Sequence, residues 1–115
     1  GNVVVFTAAD TNGDKVSTTT VNGDNKVFGM VMSGVGTLQV QTEYYGNILT
    51  EGYTTKLWVN NGTSSIAIGD WLSCYSHAYY SKKAVTGDMV FARALSTPTT
   101  GTASINALLV APRLI

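Results

Sequence analysis

Apolar and polar residues alternate in short segments along this chain, and pairs such as Gly-Asp and Asn-Gly separate the segments. The clearest alternation is in Thr37–Tyr45, where Leu38 and Val40 fall on one face and Gln39 and Gln41 on the other. An alternation with a period of two residues predicts a strand with one buried face.

Tyr53–Val59 has the same pattern, with Leu57 and Val59 on one face and Lys56 and Trp58 on the other. The pattern predicts that Leu57 and Val59 point into a core. Trp58 then lies on the outer face, where an aromatic side chain is available for a contact with another molecule.

Short β-branched segments separated by turn residues favour a barrel or sandwich. The sequence therefore predicts one all-β domain over residues 1–115, a small β-barrel or β-sandwich of short antiparallel strands with extended termini. The predicted strands are 3–8, 15–21, 27–32, 37–45, 48–50, 53–59, 66–68, 71–75, 78–84, 89–95 and 104–110, and residues 111–115 are predicted to be an extended apolar tail.

Both ends of the sequence are apolar, although chain ends usually fray. Residues 1–8 are predicted to be either the first strand of the domain's own sheet or an extended N-terminal arm that adds a strand to a partner. We expect the apolar end residues to belong to a contact surface. They are Val3, Val4, Val5, Phe6, Leu114 and Ile115.

Charge is scarce and balanced in this chain. Seven basic and seven acidic residues cancel, and charged residues are 12% of the sequence, about half of what soluble domains usually carry. A nearly uncharged surface does little to oppose association, so we expect self-assembly. Lys82-Lys83 is the only basic pair, which argues against nucleic acid as a partner. No apolar run has the roughly 20 residues of a membrane span.

Asp10, Asn12 and Asp14 begin like a calcium-binding loop. Such a loop needs a glycine after the third ligand and a bidentate glutamate at its end, where this chain has Lys15 and Val21. Asn-Gly and Gly-Asp pairs are common in hairpin turns. We therefore predict an ordinary turn here, and no metal site.

Cys74 and His77 are the residues closest to a nucleophile and base pair. Their spacing of three places the two side chains on opposite faces of a strand, whereas catalysis needs them within hydrogen-bond reach. No second histidine is present, and no spacing brings two carboxylates together. The sequence predicts a protein that is not an enzyme and has no cofactor.

Tyrosine and tryptophan are frequent between residues 44 and 80. Core packing accounts for about half of these side chains, and we expect the others to form an interface, because Tyr and Trp bury large areas at protein contacts. The expected interface aromatics are Trp58, Trp71, Tyr79 and Tyr80. Asn61 begins a glycosylation sequence, but an Asn-Gly turn explains it more simply.

The second half of the sequence has a recognisable order of segments. Gly69–Ser73 is followed by a stretch ending at Ala84, then by Met89–Leu95, a Thr/Gly loop and Ile105–Val110. This order resembles the small phage head-decoration and head-fibre proteins, including the lambda-type decoration proteins. The paired strands expected in Val27–Met30 and Gly52–Asn61 are similar to those that precede the Gly-Asp in that group.

The resemblance implies a homotrimeric structural protein on the virion surface that binds major capsid protein and cements neighbouring subunits. Similar Gly-Asp and Ala-Leu segments occur in trimeric tail-fibre modules, so a subunit of a tail, fibre or extracellular filament stays an alternative. A carbohydrate-binding β-module that uses Trp58, Trp71 and the tyrosines is another. The two alternatives differ from the first reading in symmetry and in whether the aromatics line a groove.

Overall fold

The computed structural model describes residues 2–6, 16–33, 47–61, 64–76 and 80–115. The predictions for the turn at 10–14, the strand Thr37–Tyr45, His77 and Tyr79 lie outside these residues. Across the described ranges there is no helix long and apolar enough to span a bilayer.

The described chain is all-β, as the alternating pattern predicts. Its strands are β1 (Val3–Phe6), β2 (Val16–Ser17), β3 (Val27–Ser33), β4 (Asn47–Leu49), β5 (Gly52–Asn60), β6 (Trp71–Cys74), β7 (Ser81–Lys83), β8 (Met89–Ala94) and β9 (Thr102–Leu114).

The strands form a closed barrel and a second sheet. The barrel has the order β5-β7-β6-β8-β9 and closes where β9 pairs with β5, and the second sheet has the order β2-β1-β3-β4. Every described pairing is antiparallel except a short parallel contact between β5 and β7 at Val59 and Ser81. Closure removes the exposed edges that an open sheet would leave for aggregation.

One hydrophobic core joins the two sheets. Phe91 and Leu72 from the barrel belong to the same buried cluster as Val5 and Met30 from the second sheet. On β5, the side chains of Leu57 and Val59 are fully buried, as the period-two pattern predicts. Burying large apolar side chains contributes roughly 1.5–3 kcal/mol each, so this shared core holds the sheet against the barrel.

The first strand is an integral part of the second sheet. β1 pairs with β2 on one side and with β3 on the other, and Val3, Val4 and Val5 are buried. The expectation that these three residues form a contact surface is therefore wrong, because their side chains already pack inside the chain. Phe6 belongs to the same strand and pairs with Val16.

The C-terminal residues are not a tail. β9 continues to Leu114 by pairing with β8, with Met89 opposite Leu114 and Val90 opposite Arg113. Ile115 then donates a backbone hydrogen bond to Asp88 and accepts one from Gly87. Proline lacks an N–H group, but Pro112 does not end the strand. The register with β8 shifts between Val90 and Ala92, and pairing resumes at Arg113.

The prediction of a strand at 66–68 is wrong, because side chains capture the backbone donors there. The Asn61 carboxamide oxygen accepts a hydrogen bond from the Ile66 N–H, and the Asp70 carboxylate accepts one from the Ala67 N–H. Asp70 also donates its own N–H to the carbonyl of Ala67. These contacts fold the segment into a turn that leads to β6.

The predicted strand at 15–21 is described only as Val16–Ser17. Beyond it, the Thr19 hydroxyl accepts a hydrogen bond from the Val21 N–H, and the Asp24 carboxylate accepts one from the Lys26 N–H. Polar side chains again compete with strand pairing, and the segment becomes a turn before β3.

Candidate functional site

A buried ion pair lies between β7 and the start of β8. Lys82 donates from Nζ to Asp88 Oδ2 at 2.6 Å, and the two side chains are 9% and 12% exposed. The same oxygen accepts hydrogen bonds from the Ser73 hydroxyl at 2.8 Å and the Val85 N–H at 3.1 Å. The side chains of Ser73, Lys82 and Asp88, with the backbone N–H of Val85, are called the buried polar cluster below.

The buried polar cluster keeps its carboxylate ionised. Burial by itself raises the pKa of Asp88, but the hydrogen bonds from Lys82, Val85 and Ser73 and the charge of Lys82 outweigh it, so the pKa lies below its usual value. A charged carboxylate with three donors is satisfied where it lies. The cluster therefore pins β6, β7 and β8 together.

The turn before β3 packs on this cluster. Gly23 has a positive φ of 63°, and a Cβ added there would overlap the carboxylate of Asp88. Gly23 also donates its N–H to the carbonyl of Cys74 at 2.9 Å and accepts a hydrogen bond from the Met89 N–H. Glycine is needed here for both the backbone conformation and the close approach.

Cys74 lies beside this cluster in the core. Its side chain is fully buried, and burial, with smaller contributions from the charges of Asp24 and Asp88, raises the pKa of the thiol to about 12. The thiolate is the nucleophilic form of cysteine, so at neutral pH this thiol is unreactive. Ser73 is also fully buried, and neither side chain can meet a substrate in this fold.

The outer surface of the barrel carries a different constellation. The guanidinium groups of Arg93 and Arg113 lie over the ring of Trp71, at 4.8 Å and 4.5 Å from its centroid. Arg93 also donates two hydrogen bonds to the carbonyl of Gly69, at 3.2 Å and 3.0 Å. Cation–π contacts of this kind contribute about 0.5–1 kcal/mol at exposed sites and hold the side chains in place.

Trp71 and Arg93 belong to a row of residues that lie opposite one another on four neighbouring strands. Trp71 on β6 is opposite Arg93 on β8, Arg93 is opposite Leu108 on β9, and Leu108 is opposite Tyr53 on β5. Residues directly opposite in a sheet point to the same face. Arg93 is exposed, and Leu108 and Tyr53 are 40% and 59% exposed.

We call this surface the outer face of the barrel. Leu95 directly follows β8 and is also exposed, and Ile68 precedes Gly69, whose carbonyl accepts the hydrogen bonds of Arg93. Leu114 follows Arg113 on β9 and is 66% exposed, but its side chain points to the opposite side of the strand from Arg113. An apolar surface with aromatic and arginine side chains is typical of protein contact sites.

The other predicted aromatic pair lies on β5 and next to β7. Trp58 and Tyr80 are both half-buried, and their rings meet edge to face with centroids 6.2 Å apart. The prediction that Trp58 lies opposite the core residues Leu57 and Val59 is confirmed. The ring packs against Tyr80 and is therefore only partly available to a partner.

The predicted contact residues whose side chains the structure describes, which leaves out Phe6 and Tyr79, divide into three groups. Val3, Val4 and Val5 are buried, Trp58 and Tyr80 pack on each other, and Trp71 with Leu114 and Ile115 reaches the surface. Which of the surface residues contact a partner stays a prediction.

Sequence reasoning missed Arg93, Arg113 and Leu108 as companions of Trp71. Arg93 alternates with the buried Ala92 and Ala94, and this alternation was a signal that it points outward. Arg113 gave no such signal, because its position depends on the pairing of β9 with β8.

Within the described ranges, no group of three or more His, Cys, Asp or Glu side chains is arranged to hold a metal ion. In comparisons with known proteins, no family model matches the chain, and no curated protein or solved structure matches it either.

Proposed function

We propose that this chain is a structural virion protein that decorates and stabilises a phage capsid by binding major capsid subunits as a trimer. The observation that carries the proposal is the outer face, where Trp71, Arg93, Leu108 and Tyr53 line up across the barrel. Tryptophan, tyrosine and arginine are the residues most enriched at the energetic centres of protein interfaces.

The low charge of the chain supports the same proposal. Equal numbers of basic and acidic residues leave no net charge, and self-repulsion does not oppose close packing of copies. The closed barrel supplies a rigid platform, so the exposed side chains lose little conformational freedom when a partner binds.

The proposal assigns no chemistry to the chain. The Ser73 and Cys74 side chains are fully buried, and Ser73 donates its hydroxyl hydrogen to Asp88. A nucleophile needs an accessible position beside a base, and neither side chain has one.

The carbohydrate-binding alternative draws on the same aromatic side chains. Two guanidinium groups cover Trp71, and Trp58 packs on Tyr80. Contacts within the chain therefore occupy ring surface that a stacked sugar would need, which favours a protein partner for the outer face.

Co-sedimentation with capsids tests the proposal. Capsids would be assembled from the major capsid protein encoded in the same genome and mixed with the purified chain over a range of concentrations. We expect saturable binding in multiples of three copies, and we expect capsids that carry the protein to resist heating better than bare capsids. An absence of binding at saturating concentrations would contradict the proposal.

A pair of variants connects that assay to the outer face. Trp71→Ala should weaken capsid binding by about tenfold or more, as the loss of a central interface tryptophan does. Val85→Ala is the control, because Val85 is 61% exposed on the β7–β8 turn and is not one of the residues aligned across the outer face. Circular dichroism melting would confirm that both variants fold.

A further inference from the structure

Among the described side chains, four cations have no carboxylate partner, and one carboxylate has neither a hydrogen bond nor an ion pair within those residues. Asp24, Asp70 and Asp88 each accept hydrogen bonds or form an ion pair within the chain. Glu51 is exposed in the turn between β4 and β5 and has no hydrogen bond or ion pair with another described residue. An exposed carboxylate of this kind is free to meet a cation of another molecule.

Arg113 is the cation best prepared to meet such a carboxylate. Its guanidinium lies over Trp71 and has no carboxylate partner among the described residues. Lys26, Lys56 and Arg93 also have no carboxylate partner there. The guanidinium of Arg93 already donates to the Gly69 carbonyl, and a lysine side chain is flexible and strongly hydrated. A guanidinium held on a ring presents its donors in a fixed direction and binds carboxylates with two hydrogen bonds.

Glu51 and the end of β9 lie on one side of the molecule. Glu51 and Thr50 line a surface groove of about 460 Å³ together with Ala111 and Pro112, which directly precede Arg113. Charges of opposite sign on adjacent patches suit a ring of copies, because in a head-to-tail ring each copy offers one patch to one neighbour and a different patch to the next.

We infer that the groove between the β4–β5 turn and the end of β9 is the self-association surface of the chain, with Arg113 of one copy pairing with Glu51 of the next copy in a closed ring. This inference rests on the proposed function in taking the ring to be a trimer. Ala111 and Pro112 supply apolar area beside the ion pair. Partial removal of the pair from water by that area makes the contact stronger than an exposed ion pair.

Charge exchange tests the contact directly. Arg113→Glu and Glu51→Arg each place like charges opposite one another, so each should raise the concentration at which the trimer dissociates by about tenfold or more. The double variant Arg113→Glu/Glu51→Arg restores opposite charges and should return that concentration close to the wild-type value. Light scattering after size-exclusion chromatography would report the mass over a concentration series.

Lys56→Glu is the matched control, since it makes the same charge change at an exposed position on β5 that lines a different groove, beside Met30 and Met32. It should leave the trimer unchanged. If a reversed single variant fails to fold by circular dichroism, the neutral variants Arg113→Gln and Glu51→Gln replace it, with a smaller shift in the same direction.

The inference is overturned if the folded single variants trimerise like the wild type, if the folded double variant is no better than the single variants, or if the wild type is monomeric throughout. A chain that is monomeric in solution but binds capsids in multiples of three copies would leave the proposed function standing without this contact. If the charge-exchange variants change trimer dissociation as expected but the trimer does not bind capsids, the contact is supported and the proposed function is contradicted.

Discussion

Lys82 and Lys83 are neighbours on β7, and each pairs with an aspartate, but the two pairs differ in environment. Lys82 meets Asp88 at 2.6 Å with both side chains nearly buried. Lys83 meets Asp70 at 3.4 Å with side chains 40% and 22% exposed. Successive side chains of a strand point to opposite sides, so one step along β7 moves an ion pair from the interior to the surface.

The difference shows what burial does to the same pair of chemical groups. In the interior, the charges have lost their water and depend on each other and on Ser73 and Val85. At the surface, water screens the pair and replaces either partner. The inner pair therefore specifies how β6, β7 and β8 fit together, while the outer pair adds little to folding.

Replacing each lysine with alanine should give the largest difference in unfolding free energy between the two ion pairs. Lys82→Ala leaves the Asp88 carboxylate buried without its cation and should reduce the free energy of unfolding by about 3–5 kcal/mol. Lys83→Ala is the matched control and should reduce it by about 1 kcal/mol or less. Urea unfolding of both variants would measure the difference, and equal losses would show that burial does not distinguish the pairs.

The close approach of Gly23 to Asp88 offers a second way to probe the inner pair. Gly23→Ala should reduce the free energy of unfolding by roughly 2–4 kcal/mol, because the new Cβ overlaps the carboxylate and forces the turn or the ion pair to move.

A double-mutant cycle supplies the control for that change. In an Asp88→Ala background the overlapping atoms are gone, so Gly23→Ala should cost only about 1 kcal/mol for its positive φ. An unchanged cost in that background would mean that the overlap with Asp88 does not explain the need for glycine.

Lowering the pH should remove the stabilisation that the Lys82–Asp88 pair gives to the folded state. The folded state holds the pKa of Asp88 below its usual value, so the stabilisation is fully present above the unfolded value of about 3.9 and is lost as the pH falls through the folded pKa. Asp88→Asn should be less stable than the wild type at pH 6 and should change less between pH 6 and pH 2. Urea unfolding over that range would show it, and parallel curves would contradict the assignment.

Among the interior groups, Cys74, which shares the interior with the inner pair, should show the smallest loss of stability. Because burial raises the pKa of its thiol to about 12, a thiol reagent at pH 8 should label the folded protein roughly a hundredfold more slowly than the urea-unfolded protein. Cys74→Ala should leave capsid binding intact and cost about 1–3 kcal/mol. Rapid labelling of the folded chain would show that the thiol is accessible.

The local sequence pattern was sufficient to predict the position of most of the strands. β3, β5, β6 and β8 lie within one or two residues of their predicted bounds, because β-branched content and turn residues act over a few neighbouring positions. The same reasoning failed at Ile66, where the carboxamide of Asn61 takes the N–H that strand pairing would need. A side-chain hydrogen bond of this kind produces no repeating pattern in the sequence from which it could be predicted.

The sequence by itself determined an all-β chain of short strands, the inward face of Leu57 and Val59, and the low charge that favours assembly. Only the tertiary structure decided that Val3–Phe6 is an inner strand, that β9 runs on to Leu114, and that Trp71 lies beneath two arginines. The physical reason is the range of the interactions. Periodicity reflects neighbours along one strand, whereas barrel closure and strand register bring together residues that are far apart in the chain.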